Sequence, residues 1–515
     1  MNYRKSITLT SLLLTTACAV GPDYTRPDMT IPGGFKEAQF GTSVATKDAP
    51  QIAPAPTPDA PEEAKQLEKA KPNDDAIRGK WWEVFNDTDL NTLEEQVATN
   101  NQTVKAAEAS FRQARALVAE ARAAFFPTVG ADASMSRGKN AQVGTVVTNT
   151  GIRNSYSASL DASWVPDFWG RVRREVESSN ATAEAGAADL ALAVLTAQSE
   201  LAADYLGLRI ADEQQRLLQR TVVAFTKSLE ITQNQYNSGI AVSSDVLQAK
   251  VQLENAQAQL VDVGVARAQF EHAIAVLVGK APADFSIAAV DSVPALPVIP
   301  TGVPSQLLER RPDIAAAERN VVAANAEIGV AEAAYFPDIT LAAAGGYNSS
   351  GISRWFTLPN RFWSIGPSLV ETLFDAGLRS AQTEAAIATY DQTVANYRQT
   401  VLTAFQEVED NLAALRIYAQ EAEVLESEVQ DANKTIDVLM NQYKSGTVSY
   451  LNVVTTQTAA LNAELTALNV RKERLASSVA LIENLGGGWN VSDLDKPDVT
   501  QGETTPLSIL PPNVP

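Results

Sequence analysis

Segments with two different hydrophobic periods alternate along the chain, one of three to four residues and one of two residues. The longer period predicts helices. Apolar residues recur every three or four positions on the stretch 394–415, at Val394, Tyr397, Val401, Phe405, Val408, Leu412 and Leu415. This spacing is typical of one face of an α-helix. No proline occurs from Arg171 to Lys280 or from Ser368 to Trp489. We therefore expect very long helices, the first of about 100 Å, although a helix that bends back within a bundle is an alternative.

Four shorter segments alternate apolar and polar residues with a period of two. They cover residues 128–136, 154–164, 338–348 and 362–373, and the alternation predicts β-strands with one apolar face. That face could pack on a core in a soluble protein. Strands of this length with terminal aromatic residues such as Trp164, Tyr347 and Trp363 also fit a transmembrane β-barrel. A closed barrel needs about eight strands, so several chains would have to share it.

The two patterns occur twice, because almost half of the chain is duplicated. Ala121–Gly130 returns as Ala331–Thr340 at a spacing of 210 residues (337 minus 127), and Gln235–Gly239 returns as Gln442–Gly446 at 207 (446 minus 239). Each copy is predicted to contain a helix, two strands and a long helical hairpin. The first repeat spans 81–280 with its hairpin tip near residue 239, and the second spans 304–489 with its tip near 446. A linker, 281–303, and an irregular tail, 490–515, complete this division.

Composition excludes several classes of function. The formal net charge is −20, from 41 Lys plus Arg against 61 Asp plus Glu, and no basic cluster suits nucleic acid. The chain has one histidine, His272, and one cysteine, Cys18. We expect no catalytic residue, no metal site and no cofactor, and therefore no enzyme.

The N-terminus has the layout of a bacterial lipoprotein signal. Arg4 and Lys5 precede an apolar stretch that ends in Thr15-Thr16-Ala17-Cys18, too short to span a bilayer. We predict a signal peptide at 1–17, lipidation of Cys18, and a lipidated N-terminus with a Pro/Ala-rich linker over 18–80. Thr15 departs from the Leu or Val usual at its position, and an ordinary signal peptide with an incidental cysteine is the alternative.

Five segments in order resemble the TolC superfamily, and most closely the NodT group of outer-membrane efflux lipoproteins in RND-type tripartite systems. They are Cys18–Pro27, Trp81–Leu90, Leu308–Glu318, Phe374–Arg379 and Leu485–Trp489. The resemblance implies a mainly α protein with a membrane β-barrel: a homotrimer with a twelve-stranded barrel in the outer membrane of a Gram-negative bacterium. The barrel would continue into a long periplasmic α-helical barrel. The implied partners are a periplasmic membrane-fusion adaptor protein, an inner-membrane RND transporter and outer-membrane lipid.

The resemblance also implies that the two hairpin turns form the periplasmic tip, where an adaptor docks and the pore closes. The tip residues are Tyr236, Ser238, Gly239, Ser243, Asp245, Ser445 and Gly446. Glycine suits a helix C-terminus because it can take positive φ, and Ser243, Ser244 or Asp245 is expected to cap the following helix. Relatives often carry an acidic residue where this chain has Val448. The hypothesis is an apolar gate of Val448 with Tyr443 or Tyr450.

The predicted function is a passive trimeric duct that exports small molecules and is gated at its periplasmic tip. A type I secretion channel is one alternative within the same fold. A lipid-anchored periplasmic coiled-coil scaffold is another, and it would place the alternating strands in a soluble domain.

Overall fold

The computed structural model describes residues 19–38, 79–139, 151–290, 293–299 and 304–493. The predicted signal peptide, Cys18, most of the Pro/Ala-rich linker and most of the C-terminal tail lie outside these ranges. The chain divides into two compact units, each with parts of both sequence repeats. Unit 1 comprises 1–29, 108–186 and 316–400, and unit 2 comprises 30–107, 187–315 and 401–515.

The regular elements follow one another in the same order in each repeat. The first repeat contains α1 (Thr88–Asn100), α2 (Gln102–Ala123), β1 (Thr128–Lys139), β2 (Ile152–Trp164), α3 (Arg171–Asn237) and α4 (Ser243–Leu277). The second contains α5 (Pro304–Arg310), α6 (Pro312–Ala333), β3 (Asp338–Ser349), β4 (Arg361–Val370), α7 (Leu378–Lys444) and α8 (Tyr450–Asn484).

The helices of the two long hairpins have equal lengths in corresponding pairs. The helices α3 and α7 each have 67 residues, and α4 and α8 each have 35. The predicted long helices are therefore confirmed as continuous elements. The spacing between repeats is 210 residues at the start of β1 and β3 (338 minus 128) and 207 at the start of α3 and α7 (378 minus 171). The second repeat is thus three residues shorter between the start of its first strand and the start of its long helix.

Unit 1 contains one antiparallel sheet in the order β1-β2-β3-β4. Strand β4 ends at Val370, before the predicted end at 373, because Val370 pairs with Asp338 and β3 begins only after Pro337. Strand β1 continues past the predicted end at 136, because its backbone ladder extends to the pair Lys139 and Ile152 although the apolar alternation has stopped. Strands β1 and β4 form the two edges of the sheet.

Unit 2 has an aromatic core around the short helix Trp81–Phe85 and α1. Trp81 and Trp82 pack with Leu93 and Val97 of α1 and with residues of α3, α4 and α8. Glu94 lies between these two α1 residues and is fully buried. Neither of its carboxyl oxygens has a hydrogen-bond partner among the described residues. Burial raises the pKa of Glu94 from its ordinary 4.5 to about 9, so its carboxyl group is protonated at neutral pH.

In contrast to Glu94, the buried Arg311 of unit 2 is charged and has several partners. The Arg311 guanidinium pairs with Asp313 at 2.7 Å and with Glu407 at 2.8 Å. It also donates to the backbone oxygen of Asn484, at the end of α8, at 3.3 Å. Arg311 therefore joins the segment between α5 and α6 to α7 and α8.

Candidate functional site

The turn between α3 and α4 has the geometry of a helix C-terminal glycine motif. Gly239 has φ +77°, which glycine adopts without steric cost. The Ile240 amide donates to the Gln235 oxygen and the Gly239 amide to the Tyr236 oxygen, both at 2.9 Å. These are the two bonds of a Schellman motif, and they end α3 at Asn237.

The turn between α7 and α8 repeats this arrangement. Gly446 has φ +75°, the Thr447 amide donates to the Gln442 oxygen at 3.0 Å, and the Gly446 amide donates to the Tyr443 oxygen at 2.9 Å. The Ser445 hydroxyl also donates to the Gln442 oxygen at 2.9 Å. The sequence therefore located both turns correctly, from Gly239 and Gly446.

The predicted capping residues do not cap α4. Val242 occupies the N-cap position with extended backbone angles, and no side chain makes a capping hydrogen bond there. Ser243 is already the first helical residue, so its hydroxyl is one position too late for the role. Asp245 lies in the first turn, where a carboxylate interacts favourably with the helix dipole.

Apolar side chains are exposed in and beside the turn that joins α3 to α4. The exposed fractions are 69% for Ile240, 61% for Val242 and 62% for Leu247, while Tyr236 is exposed to 45%. Sequence reasoning assigned Tyr236 to the tip but missed the other three. Ile240 and Val242 could have been identified from the sequence, because apolar residues within a turn have no helix face to share, whereas Leu247 already lies in α4.

Two of the three gate candidates are buried between helices of unit 2. Tyr443 and Tyr450 are 5% and 1% exposed, and their ring centroids lie 5.1 Å apart. They form a cluster with Ala249 and Val453, against which Val448 packs partly buried. Burial raises the pKa of Tyr450 to about 12. Tyr443 and Tyr450 therefore belong to a packed cluster between the two hairpins.

Polar contacts join the first hairpin, α3 with α4, to the second, α7 with α8. The Gln457 amide of α8 donates to the Ser228 hydroxyl of α3 at 3.2 Å, within a buried environment. The Gln252 amide of α4 donates to the Thr458 hydroxyl of α8 at 2.8 Å. Near the turns, the Gln235 side-chain amide donates to the backbone carbonyl oxygen of Tyr443 at 3.4 Å. These bonds would have to break if one hairpin moved away from the other.

The sheet of unit 1 exposes its apolar face. Exposed side chains include Val129 (71%), Leu160 (62%), Trp363 (73%) and Ile365 (75%). No other layer of the described chain therefore covers them. Separately, none of the helices in the described ranges combines the length and apolar character that crossing a membrane requires.

Comparison with known proteins extends the resemblance to nearly the whole chain. The model of the outer membrane efflux protein family matches residues 93–280 and 303–487. Solvent efflux pump outer membrane protein SrpC of Pseudomonas putida is 30% identical over 496 residues, which cover 95% of this chain and 99% of SrpC. Pyoverdine export outer membrane protein OpmQ of Pseudomonas aeruginosa is 31% identical over 438 residues, covering 84% and 91%.

The fold agrees with solved structures of the same kind. The outer-membrane channel OprN matches with a TM-score of 0.81 at 30% identity, covering 92% of this chain and 100% of OprN. Sequence and structure therefore point to one class of protein.

Proposed function

We propose that this chain, which belongs to the outer membrane efflux protein family, forms a trimeric passive duct for small molecules. The protein is an outer-membrane channel of an efflux system in a Gram-negative bacterium, and it extends into the periplasm. The proposal adds the number of subunits, the partners and the gating. The duct performs no chemistry, and an inner-membrane RND transporter supplies the energy.

The trimer is inferred from the two unpaired edges of the sheet in unit 1. Its outer strands β1 and β4 leave two edges, and unpaired backbone groups in a bilayer cost several kcal/mol each. Edge pairing between copies satisfies both edges and closes the sheet, and its exposed apolar side chains would then face lipid. Three copies of four strands give the twelve strands that the resemblance implies.

The mass and conductance of the detergent-purified protein test this arrangement. We expect a mass of three mature chains, each smaller than the 55.0 kDa of the full sequence by the cleaved signal peptide, and a discrete conductance in planar bilayers. A water-soluble protein without conductance would instead support the lipid-anchored periplasmic scaffold. A channel that exports a polypeptide but no small molecule would support type I secretion.

We assign adaptor docking to the two turns. Tyr236, Ser238, Gly239, Ser243, Asp245, Ser445 and Gly446 lie in or beside them, and together with Ile240 and Val242 they offer apolar and hydrogen-bonding groups. Photo-crosslinkers attached to Ser238→Cys and Ser445→Cys should capture the adaptor. Lys227→Cys, on the exposed side of α3 away from the turn, is the matched control. Equal capture by all three variants would refute docking at the turns.

Gating follows from the contacts between the hairpins. The first hairpin forms the fixed wall and the second moves, and Tyr443 and Tyr450 hold the two together. Val448, only half-buried, provides the apolar constriction. Val448→Ala and Tyr450→Ala should each raise single-channel conductance or open probability. No rise in either variant would contradict this assignment.

Cys18 completes the proposal as the acylated N-terminus. Mass spectrometry of the N-terminal peptide from outer-membrane protein should show cleavage before Cys18 and added acyl chains. Cleavage elsewhere, with a free thiol at Cys18, would establish the ordinary signal peptide instead.

A further inference from the structure

The segment directly after Cys18 is held by side chains of α3 and α6, which bind its backbone at consecutive residues. Three side-chain bonds reach successive carbonyl oxygens of this segment. Arg174 of α3 donates to the Val20 and Gly21 oxygens, both at 3.2 Å, and Asn325 of α6 donates to the Pro22 oxygen at 2.9 Å. The Val20 amide donates to the Trp169 oxygen at 3.1 Å. The segment therefore has a fixed register from its second residue onward.

Side chains of the segment add further contacts. Asp23 pairs with Arg174 at 2.9 Å, and Arg26 pairs with Glu318 of α6 at 3.0 Å. The Tyr24 hydroxyl donates to the same Glu318 at 3.2 Å. Arg174 has only 6% of its side chain exposed, and it also pairs with Glu177 of α3 at 2.8 Å, so its guanidinium group joins the segment to this helix.

Glycines allow the segment to approach the helices closely. A methyl group on Gly21, which has φ +97°, would lie 2.4 Å from the Cα of Gly329. One on Gly329 would lie 2.8 Å from the Arg174 Cγ and 2.9 Å from the Val20 oxygen, and one on Gly170 would lie 2.8 Å from the Ala19 Cα. Atoms do not approach this closely, so side chains at these positions would displace the segment.

The duplication supplies an internal comparison. At a spacing of 207, Arg174 corresponds to Ala381, and at 210, Gly329 corresponds to Ala119 and Asn325 to Arg115. The equivalent helices of the other repeat thus form without these residues. Arg174, Asn325 and Gly329 are therefore explained by the N-terminal segment and not by the needs of the helices themselves.

We propose that α3 and α6 form a receptor site for the chain's own mature N-terminus, with Arg174 as its positioning residue. The site holds residue 19 against Gly170, at the passage from β2 to α3, and so fixes the attachment point of the lipid. The proposal rests on the proposed function in one respect, the acylation of Cys18. A lipid attached here has no flexible tether.

Hydrogen exchange of the N-terminal peptide in the full-length, detergent-purified protein tests the site. Arg174→Ala and Gly329→Ala should each speed exchange of the Val20 amide, which donates to the Trp169 oxygen, at least tenfold. Arg319→Ala is the matched control for Arg174, because Arg319 of α6 pairs with Glu184 of α3 at 3.2 Å without a bond to the segment. Gly186→Ala is the control for Gly329, since its added methyl would meet nothing closer than 3.8 Å.

Unchanged exchange in Arg174→Ala and Gly329→Ala would overturn the proposal. Equal acceleration in Arg319→Ala would also overturn it, because the effect would then come from general loosening of α3 against α6. Mass spectrometry and conductance of the same samples separate the two proposals. An unacylated Cys18 or absent conductance counts against the proposed function, whereas the exchange rates report on the site alone.

Discussion

The buried Glu94 gives this protein a stability that depends on pH. Its folded-state pKa of about 9 lies above the unfolded value near 4.5, so the folded state retains a proton that the unfolded state has lost. Because burial is the cause, the group carries no penalty below about pH 4.5, where both states are protonated, and it destabilises the folded state increasingly as the pH rises toward 9. Each pH unit in this window costs about 1.4 kcal/mol. Between pH 5 and pH 8 the free energy of unfolding should therefore fall by about 4 kcal/mol because of this one group.

Glu94→Gln removes the titration while keeping the shape of the side chain. We expect the pH dependence between pH 5 and 8 to weaken by about 4 kcal/mol, and the variant to be more stable than the unmodified protein at pH 8. The buried amide lacks partners, which costs about 1–3 kcal/mol and reduces this gain. Glu94→Met avoids that cost and should be the most stable of the three at pH 8.

Guanidinium unfolding followed by tryptophan fluorescence provides the measurement, since Trp81 and Trp82 lie in the same core region. Glu95→Gln is the control, because Glu95 is the next residue on α1 but its side chain is 58% exposed. The reasoning is refuted if the slope against pH is the same in Glu94→Gln as in Glu95→Gln. Other titrating carboxylates contribute equally to all variants and cancel in this comparison.

Two further predictions concern Arg311 and the tip glycines. Arg311→Ala should lower the free energy of unfolding by about 3 kcal/mol, because it leaves Glu407 and its neighbours without their buried partner; Arg220→Ala, at a side chain 70% exposed, should cost less than about 1 kcal/mol in the same denaturant titration. Gly446→Ala should destabilise its turn by about 1 kcal/mol because alanine disfavours positive φ, seen as faster hydrogen exchange at residues 445–449. Gly264→Ala, in the middle of α4 with nothing within 4 Å of the added methyl, should instead stabilise its helix by about 1 kcal/mol, and the opposite order would contradict the assignment.

The sequence predicted those features that depend on local backbone chemistry. Gly239 and Gly446 marked both turns because a positive φ at a helix end is a local requirement. The proline-free stretches predicted α3 and α7 because proline is a local cause of helix interruption. The burial of Tyr443 and Tyr450 was not predictable, because it arises from residues of α4 and α8 brought together by the fold.

The burial of Glu94 was indicated by its position on an apolar helix face, but glutamate as a residue type argued for exposure. Leu90, Leu93, Glu94 and Val97 follow the spacing of three and four that marks a buried helix face. A carboxylate in this pattern reads as an exposed charge, since Glu is rarely buried without a partner. The segment Cys18–Pro27 is a similar case, because its residues carried the resemblance to the family while the reason for them, the site around Arg174, needed the structure.

The equal lengths of the corresponding hairpin helices, α3 with α7 and α4 with α8, set a condition for redesign. Seven residues added to α3 alone would carry Gly239 about 10 Å beyond Gly446 and break the polar contacts between the two hairpins. The same addition must therefore be made in α4, α7 and α8 at equivalent heights. The three-residue difference between the repeats lies instead between the start of the strands and the start of the long helix, where a change in length leaves the register of the hairpins intact.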